Sequence, residues 1–258
     1  MFKNIYPLFE RKRLLKKEML EILRDYPRDI FQILYQDYSN GILAGCELET
    51  TDGSLVIHPG IIYYNKIPYI LDDDWKIPYE ATGKQSYLKV RFSDKTAGIG
   101  QDEYLSQIYW DERIPDDCYE IELARFKLQP GARLRDSYTD FFDLDTEFDT
   151  INRIYSPYAS VGKHSIYPQI LKKFAEALMQ HTIQNQWDYP FCLDCMKLQT
   201  AMPYDEIRTY LNMRLNQKSK EYRNKEIYDG LGYILSEASE KKDRGRGIDK
   251  GDRKLLLL

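Results

Sequence analysis

Histidine and cysteine are scarce in this chain, with three and four residues among 258. Four cysteines cannot staple a chain of this length, so a disulfide scaffold is excluded and assembly in a reducing compartment is expected. The histidines, His58, His164 and His181, stand in unlike contexts and no Gly-x-Ser-x-Gly elbow accompanies them. A nucleophilic triad is not expected. No apolar run approaches the roughly 20 residues that span a bilayer, and charges interrupt the N-terminus where an export leader needs apolar residues. Membrane insertion is therefore not expected. An excess of one charge is missing too: 37 basic against 41 acidic side chains leave a net charge of -4. Nucleic acid held by bulk electrostatics needs the opposite balance and is not expected as a partner.

Cofactor and metal motifs are incomplete in the same way. Gly83-Lys84 and Gly162-Lys163 lack the upstream glycine and the following hydroxyl of a phosphate-cradling loop. Cys192-x-x-Cys195 is half of a zinc site, but Cys46 and Cys118 are lone residues, so a pair one helical turn apart on a buried face is the expected reading. The acids Asp143, Asp145, Glu147 and Asp149 echo a calcium loop, yet Phe148 replaces the sharp-turn glycine and no terminal bidentate Glu follows. With Phe142, Leu144 and Phe148 between them, they read as a half-buried strand with one acidic face. A glycosidase pair needs more than two acids on such a face. No cofactor, no metal and no enzymatic activity are expected.

What is present is a change of period along the chain. The pattern predicts an α+β chain with an N-terminal helical arm, an antiparallel β-sandwich-like module and a C-terminal helical region. The arm takes residues 1–40. Leu8, Leu15, Met19 and Ile22 fall near helical spacing, Leu14, Leu20 and Leu23 widen the stripe, and Arg11, Lys12, Arg13, Lys16 and Lys17 form a basic face. Pro27 separates this helix from a second over 29–38. The β module takes residues 41–130. Its strands are expected over 42–50, 55–57, 61–64, 67–71, 86–92, 104–110 and 119–128, with turns at Asp52-Gly53, Pro59-Gly60 and Asn65-Lys66. A transitional segment, 131–162, leads to the helical region, 163–238. There Pro168 suits a first turn, Ile170, Leu171, Phe174, Ala177, Leu178 and His181 share a face, and Gly230 and Gly232 weaken a helix over 222–238. Residues 239–258 are a charged tail ending in Leu255, Leu256, Leu257 and Leu258. Four leucines on a polar tail gain little in water and are expected to dock on a partner.

The segment Tyr38 to Leu71 carries the densest turn signals. Gly41, Ile42, Leu43 and Gly45 are followed by Gly53, then by Val56, Ile57, Pro59 and Gly60, then by Ile67. This succession resembles a β module recurrent in tail and baseplate proteins of bacteriophages and phage-like contractile particles, with Asn65-Lys66 in place of the usual hairpin glycine. The glycines permit turns or close chain crossing, and Pro59-Gly60 ends one strand and redirects the next. The resemblance implies an assembly role without catalytic residues, with other tail or baseplate proteins and tail fibres as partners. It also implies several copies in a symmetric assembly, built in the bacterial cytoplasm and residing in the tail particle. The 22 tyrosines fit surfaces that are wet before assembly and buried after it. Two other classes remain: a carbohydrate-binding or hydrolysing module using Trp75 and Trp110, and a nucleic-acid accessory protein using the Arg11 to Lys17 face.

Overall fold

The computed structural model describes residues 2–97, 102–183 and 185–247. Residues 2–16 carry no helix or strand, and a single helix, α1 (Lys17–Tyr35), follows. This corrects two expectations. Helix does not begin near Leu8, since Lys12 takes a left-handed φ of 71° that breaks any early turn. Nor does Pro27 separate two helices, because α1 runs through it. Proline removes one N–H and crowds one carbonyl, which a helix on the surface survives when its flanking turns are intact.

The β module comprises β1 (Gly41–Gly45), β2 (Leu48–Thr51), β3 (Ser54–Ile57), β4 (Gly60–Tyr64), β5 (Ile67–Leu71), β6 (Trp75–Pro78), β7 (Ser86–Phe92), β8 (Thr96–Ala97), β9 (Asp102–Glu103), β10 (Ser106–Asp111) and β11 (Glu120–Phe126). All pairings among these strands are antiparallel, in sheets ordered β1-β4-β5, β2-β3-β6 and β10-β7-β11, with β8-β9 a small separate ribbon. The hairpin turn at Asn65-Lys66 has both residues left-handed, at φ 48° and 64°, as a two-residue turn of this hand requires. The strand expected over 42–50 is two strands in two sheets. Gly45 and Cys46, at φ 63° and 56°, swing the chain from one sheet to the next, and His58-Pro59 does the same for the partner strands.

Four further helices follow among the described residues: α2 (Pro168–Leu178), α3 (Asp188–Lys197), α4 (Tyr204–Arg214) and α5 (Asn224–Gly247). Pro168 occupies the first turn of α2, whose Ile170, Leu171, Phe174 and Leu178 are buried, while His181 falls beyond its end. Gly230 and Gly232 serve packing. A Cβ on Gly230 would lie 3.2 Å from Leu211, and one on Gly232 3.4 Å from Phe142. One contiguous apolar core runs from Ile42 and Leu55 of the sheets to Leu231 and Leu235 of α5. The segment between module and helices supplies its middle, through Leu134, Phe141, Leu144, Ile151 and Ile154. Its acidic stretch is not a half-buried strand. Asp140 Oδ1 accepts hydrogen bonds from the N–H groups of Phe142 and Asp143 and starts a 3₁₀ turn, Phe142–Asp145, which leaves Phe142 and Phe148 exposed.

Candidate assembly surface

Two of the module's glycines, Gly45 and Gly60, meet at a corner of one continuous ribbon. β1 pairs with β4 and β2 with β3, and across the bend the Cys46 N–H donates to the Pro59 carbonyl while the His58 N–H donates to the Glu47 carbonyl. The two backbones approach too closely for any side chain. A Cβ at Gly45 would stand 2.2 Å from the Pro59 oxygen, and one at Gly60 2.3 Å from the Cys46 nitrogen. At Gly41 a Cβ would reach 2.6 Å from the Ala159 nitrogen, where the transitional segment crosses β1. Gly53 has open space around it and serves only its turn, at φ 69°. The close crossings are the structural basis of Gly41, Gly45 and Gly60 in the sequence pattern.

Arg153 plugs the underside of that corner, a role its sequence context of Ile-Asn-Arg-Ile does not announce. Its Nη1 donates to Glu47 Oε2 at 2.8 Å, and its Nη2 donates to the Cys46 carbonyl at 3.0 Å and to the Tyr158 hydroxyl at 2.6 Å. Tyr167 lies under the guanidinium, 4.1 Å from its ring centre, and donates to the same Glu47 oxygen. A second charged group covers the outer face of β10-β7-β11. Lys89, 1% exposed, contacts both Asp111 and Glu120 at 3.2 Å, and Arg91 reaches Glu120 at 2.6 Å. Burial opposes ionisation of Glu120. Donation from the Tyr109 hydroxyl, the Asp116 N–H, Arg91 and Lys89 outweighs it and holds the carboxyl down at about 2. Burial instead pushes Glu122 up, in spite of its two-pronged contact with Arg125.

The N-terminal region contrasts with this body of paired buried charges. No residue of α1 is buried. Its apolar link to the body runs through Phe31 and Tyr35, which pack with Tyr38 and Ile61 around Leu43, Tyr63 and Ala159; the Tyr63 ring stands 6.1 Å from Phe31 and 6.4 Å from Tyr35. The remaining apolar face points away. Thirteen of the 27 exposed large apolar side chains among the described residues lie between Phe2 and Leu34, so the uncovered surface is concentrated in this one part of the chain.

The other sequence candidates are accounted for within the body. Cys192 and Cys195 are fully buried free thiols on α3, and burial pushes Cys192 up to about 12 and Cys195 higher still. Asp143 is gripped by both prongs of Arg135, which holds it well below the usual carboxylate range, and Asp145 pairs with Lys225 at 3.1 Å. His58, on the surface, has Asp74 at 2.8 Å from Nδ1 and Glu49 at 3.1 Å from Nε2; those hydrogen bonds raise its pKa and occupy both ring nitrogens. Lys84 pairs with Glu112 and Lys163 with Glu221. Among the described residues no group of three or more His, Cys, Asp or Glu could hold a metal ion. Trp110 packs on Phe126 at 4.9 Å, while half-exposed Trp75 sits on β6 in a different sheet. The tyrosines divide between core and surface. Nine of the 22 are buried, and several donate to internal acceptors, as Tyr210 does to Asp188 and Tyr228 to the Phe141 carbonyl. Leu255, Leu256, Leu257 and Leu258 lie outside the described residues.

No helix among the described residues is long and apolar enough to cross a membrane. No protein-family model matches the chain, and no curated protein matches its sequence. Among solved structures, a crystal structure of TssK is similar at a TM-score of 0.44 and 6% identity, over 92% of this chain and 72% of that one. A chain of the type VI secretion system TssK-TssF-TssG baseplate subcomplex, seen by cryo-electron microscopy, is similar at a TM-score of 0.45 and 8% identity, over 92% of this chain and all of the other. At these values the likeness is coarse and carries no argument about residues or partners.

Proposed function

We propose that the chain is a structural component of the baseplate of a phage or phage-like contractile tail, joining tail and baseplate subunits, and receptor-binding fibres, through protein–protein interfaces. The observation that carries this reading is the concentration of uncovered apolar side chains on residues 2–35, beside a body whose buried charges are paired. Such a segment is destabilised by exposure to water and stabilised by seating on neighbours. The ribbon corner at Gly45 and Gly60, where only glycine fits, supports the resemblance to the tail and baseplate module. The mechanism is recognition between surfaces, with no catalysis and no cofactor. Assembly takes place in the bacterial cytoplasm, and the mature location is the tail.

The test is to induce the host, purify sedimentable particles and quantify this chain by mass spectrometry. Stoichiometric presence beside tube and sheath proteins is expected. A chain abundant in the soluble lysate and missing from intact particles would overturn the reading.

A further inference from the structure

The described residues hold a second, small apolar cluster apart from the main core. It consists of Leu43, Tyr63 and Ala159, with Phe31 and Tyr35 of α1, Tyr38 and Ile61 packed around them. It lies on the outer face of β1-β4-β5. Ile42, Ile62 and Tyr64, the strand neighbours of Leu43 and Tyr63, point the other way and belong to the main core. α1 is a thin cover for this face. From Tyr26 to Tyr35 every residue is exposed except Phe31 and Tyr35, and those two are only partly covered. Their rings stand 4.5 Å apart, and Tyr35 meets Tyr38 edge-on at 4.9 Å.

Tyr63 marks the join as unlike the rest of the core. Its side chain is 1% exposed, and its hydroxyl is buried with no hydrogen-bond partner. The buried Tyr64, Tyr210 and Tyr228 all donate to internal acceptors. A hydroxyl buried unpaired costs free energy that contact with water would return. Seating α1 therefore gains aromatic contact and loses the hydration of one phenol, and the two effects oppose each other.

The chain just after α1 is held independently of it. The Gly162 N–H donates to the Asp37 carbonyl at 2.8 Å, the Ser39 N–H donates to the Ser160 carbonyl at 2.9 Å, and Tyr38 bridges to Val161. Gln36 alone separates this anchored strip from Tyr35. A rotation there lifts α1 and leaves the hydrogen bonds of the strip and of β1 in place.

We infer that α1 is a hinged arm, exchanging between a state docked on Tyr63 and a state released about Gln36, while the body stays folded. Release uncovers Leu43, Ile61 and Tyr63, next to Ile70, which pairs with Ile61 across the hairpin and is already exposed. The inference goes beyond the assembly reading and concerns the isolated chain.

Thiol modification of the full chain tests it. In a Cys118→Ser background, Ala159→Cys and, separately, Leu43→Cys place a thiol beneath the docked arm, while Cys192 stays in the main core. Each rate is divided by the rate of the same thiol in denaturant. The introduced thiols should then react at least about a hundredfold faster than Cys192, because arm release uncovers them and only unfolding of the body uncovers Cys192. Adding Tyr63→Phe should slow them at least about fivefold, since the docked state then buries no unpaired hydroxyl. Phe31→Ala should speed them, and Cys192 should respond to neither change. Introduced thiols no faster than Cys192, or a Tyr63→Phe variant in which their rate is unchanged or higher, would overturn the inference. Either result leaves the baseplate reading standing, because that reading is tested on particles.

Discussion

Arg153 and Glu47 are 106 residues apart in sequence and 2.8 Å apart in space, guanidinium Nη1 to carboxylate Oε2. The guanidinium is almost wholly buried while Glu47 remains half-exposed, so the pair joins the transitional segment to the ribbon corner with its charge neutralised from the solvent side. Removing Arg153 would strip the Cys46 carbonyl and the Tyr158 hydroxyl of their donor and leave a cavity over the Tyr167 ring. Arg153→Ala is expected to cost about 2–4 kcal/mol in urea unfolding, chiefly from the buried acceptors left without their donor, since Glu47 stays solvated. Arg153→Lys should recover little of it, because one ammonium cannot reproduce a fork that serves three acceptors.

The glycines of the module separate two kinds of constraint. Gly53→Ala meets no neighbour and pays only for left-handed backbone, about 1–2 kcal/mol. Gly60→Ala would drive a Cβ into the Cys46 backbone and should cost about 4 kcal/mol or more, or abolish cooperative unfolding. Thermal melts of the two variants side by side check the order. Equal losses would show that the crossing relaxes.

Glu120 makes stability depend on acid. Its carboxyl titrates at about 2 when folded, against an ordinary value of 4.5, because four donors outweigh its burial. A depressed folded pKa contributes stability that is complete above pH 4.5 and is lost as the pH falls from there towards 2. Urea midpoints of the parent chain should drop across that window. Glu120→Gln should be less stable at pH 7, having left Lys89 short of one partner, and should lose less on acidification. Glu122, shifted the other way by burial, is common to both proteins and does not alter the comparison.

The thiols should divide by burial. Cys118 is exposed, whereas Cys46, Cys192 and Cys195 are buried, with Cys46 pushed up to about 11 and Cys192 to about 12 by desolvation. A disulfide reagent at pH 8 should modify one thiol per native chain quickly and all four only in denaturant. Rapid native labelling of Cys192 or Cys195 would place α3 in a looser packing than the stacked Phe191 and Tyr210 rings, 3.7 Å apart, indicate.

Where a feature rests on a few neighbouring residues, the amino-acid sequence by itself determined it. Asp52-Gly53 and Asn65-Lys66 turn, β5 and β7 keep their expected bounds, Pro168 opens a helix, and the α+β order of the chain follows from the change in period. Tertiary structure alone decided the rest. Whether the apolar stretch from Ile42 to Thr50 is one strand or two depends on which sheets receive its halves, and both partner strands lie further along the chain. Pro27 stays inside α1 although local rules end a helix there, and Gly230 earns its place only against Leu211 of another helix. Arg153 looks like any arginine until Cys46, Glu47, Tyr158 and Tyr167 close around it. Turn chemistry is set within a few peptide units, while burial, ion pairing and close backbone approach are set by residues a hundred positions away, so no local window contains the information that fixes them.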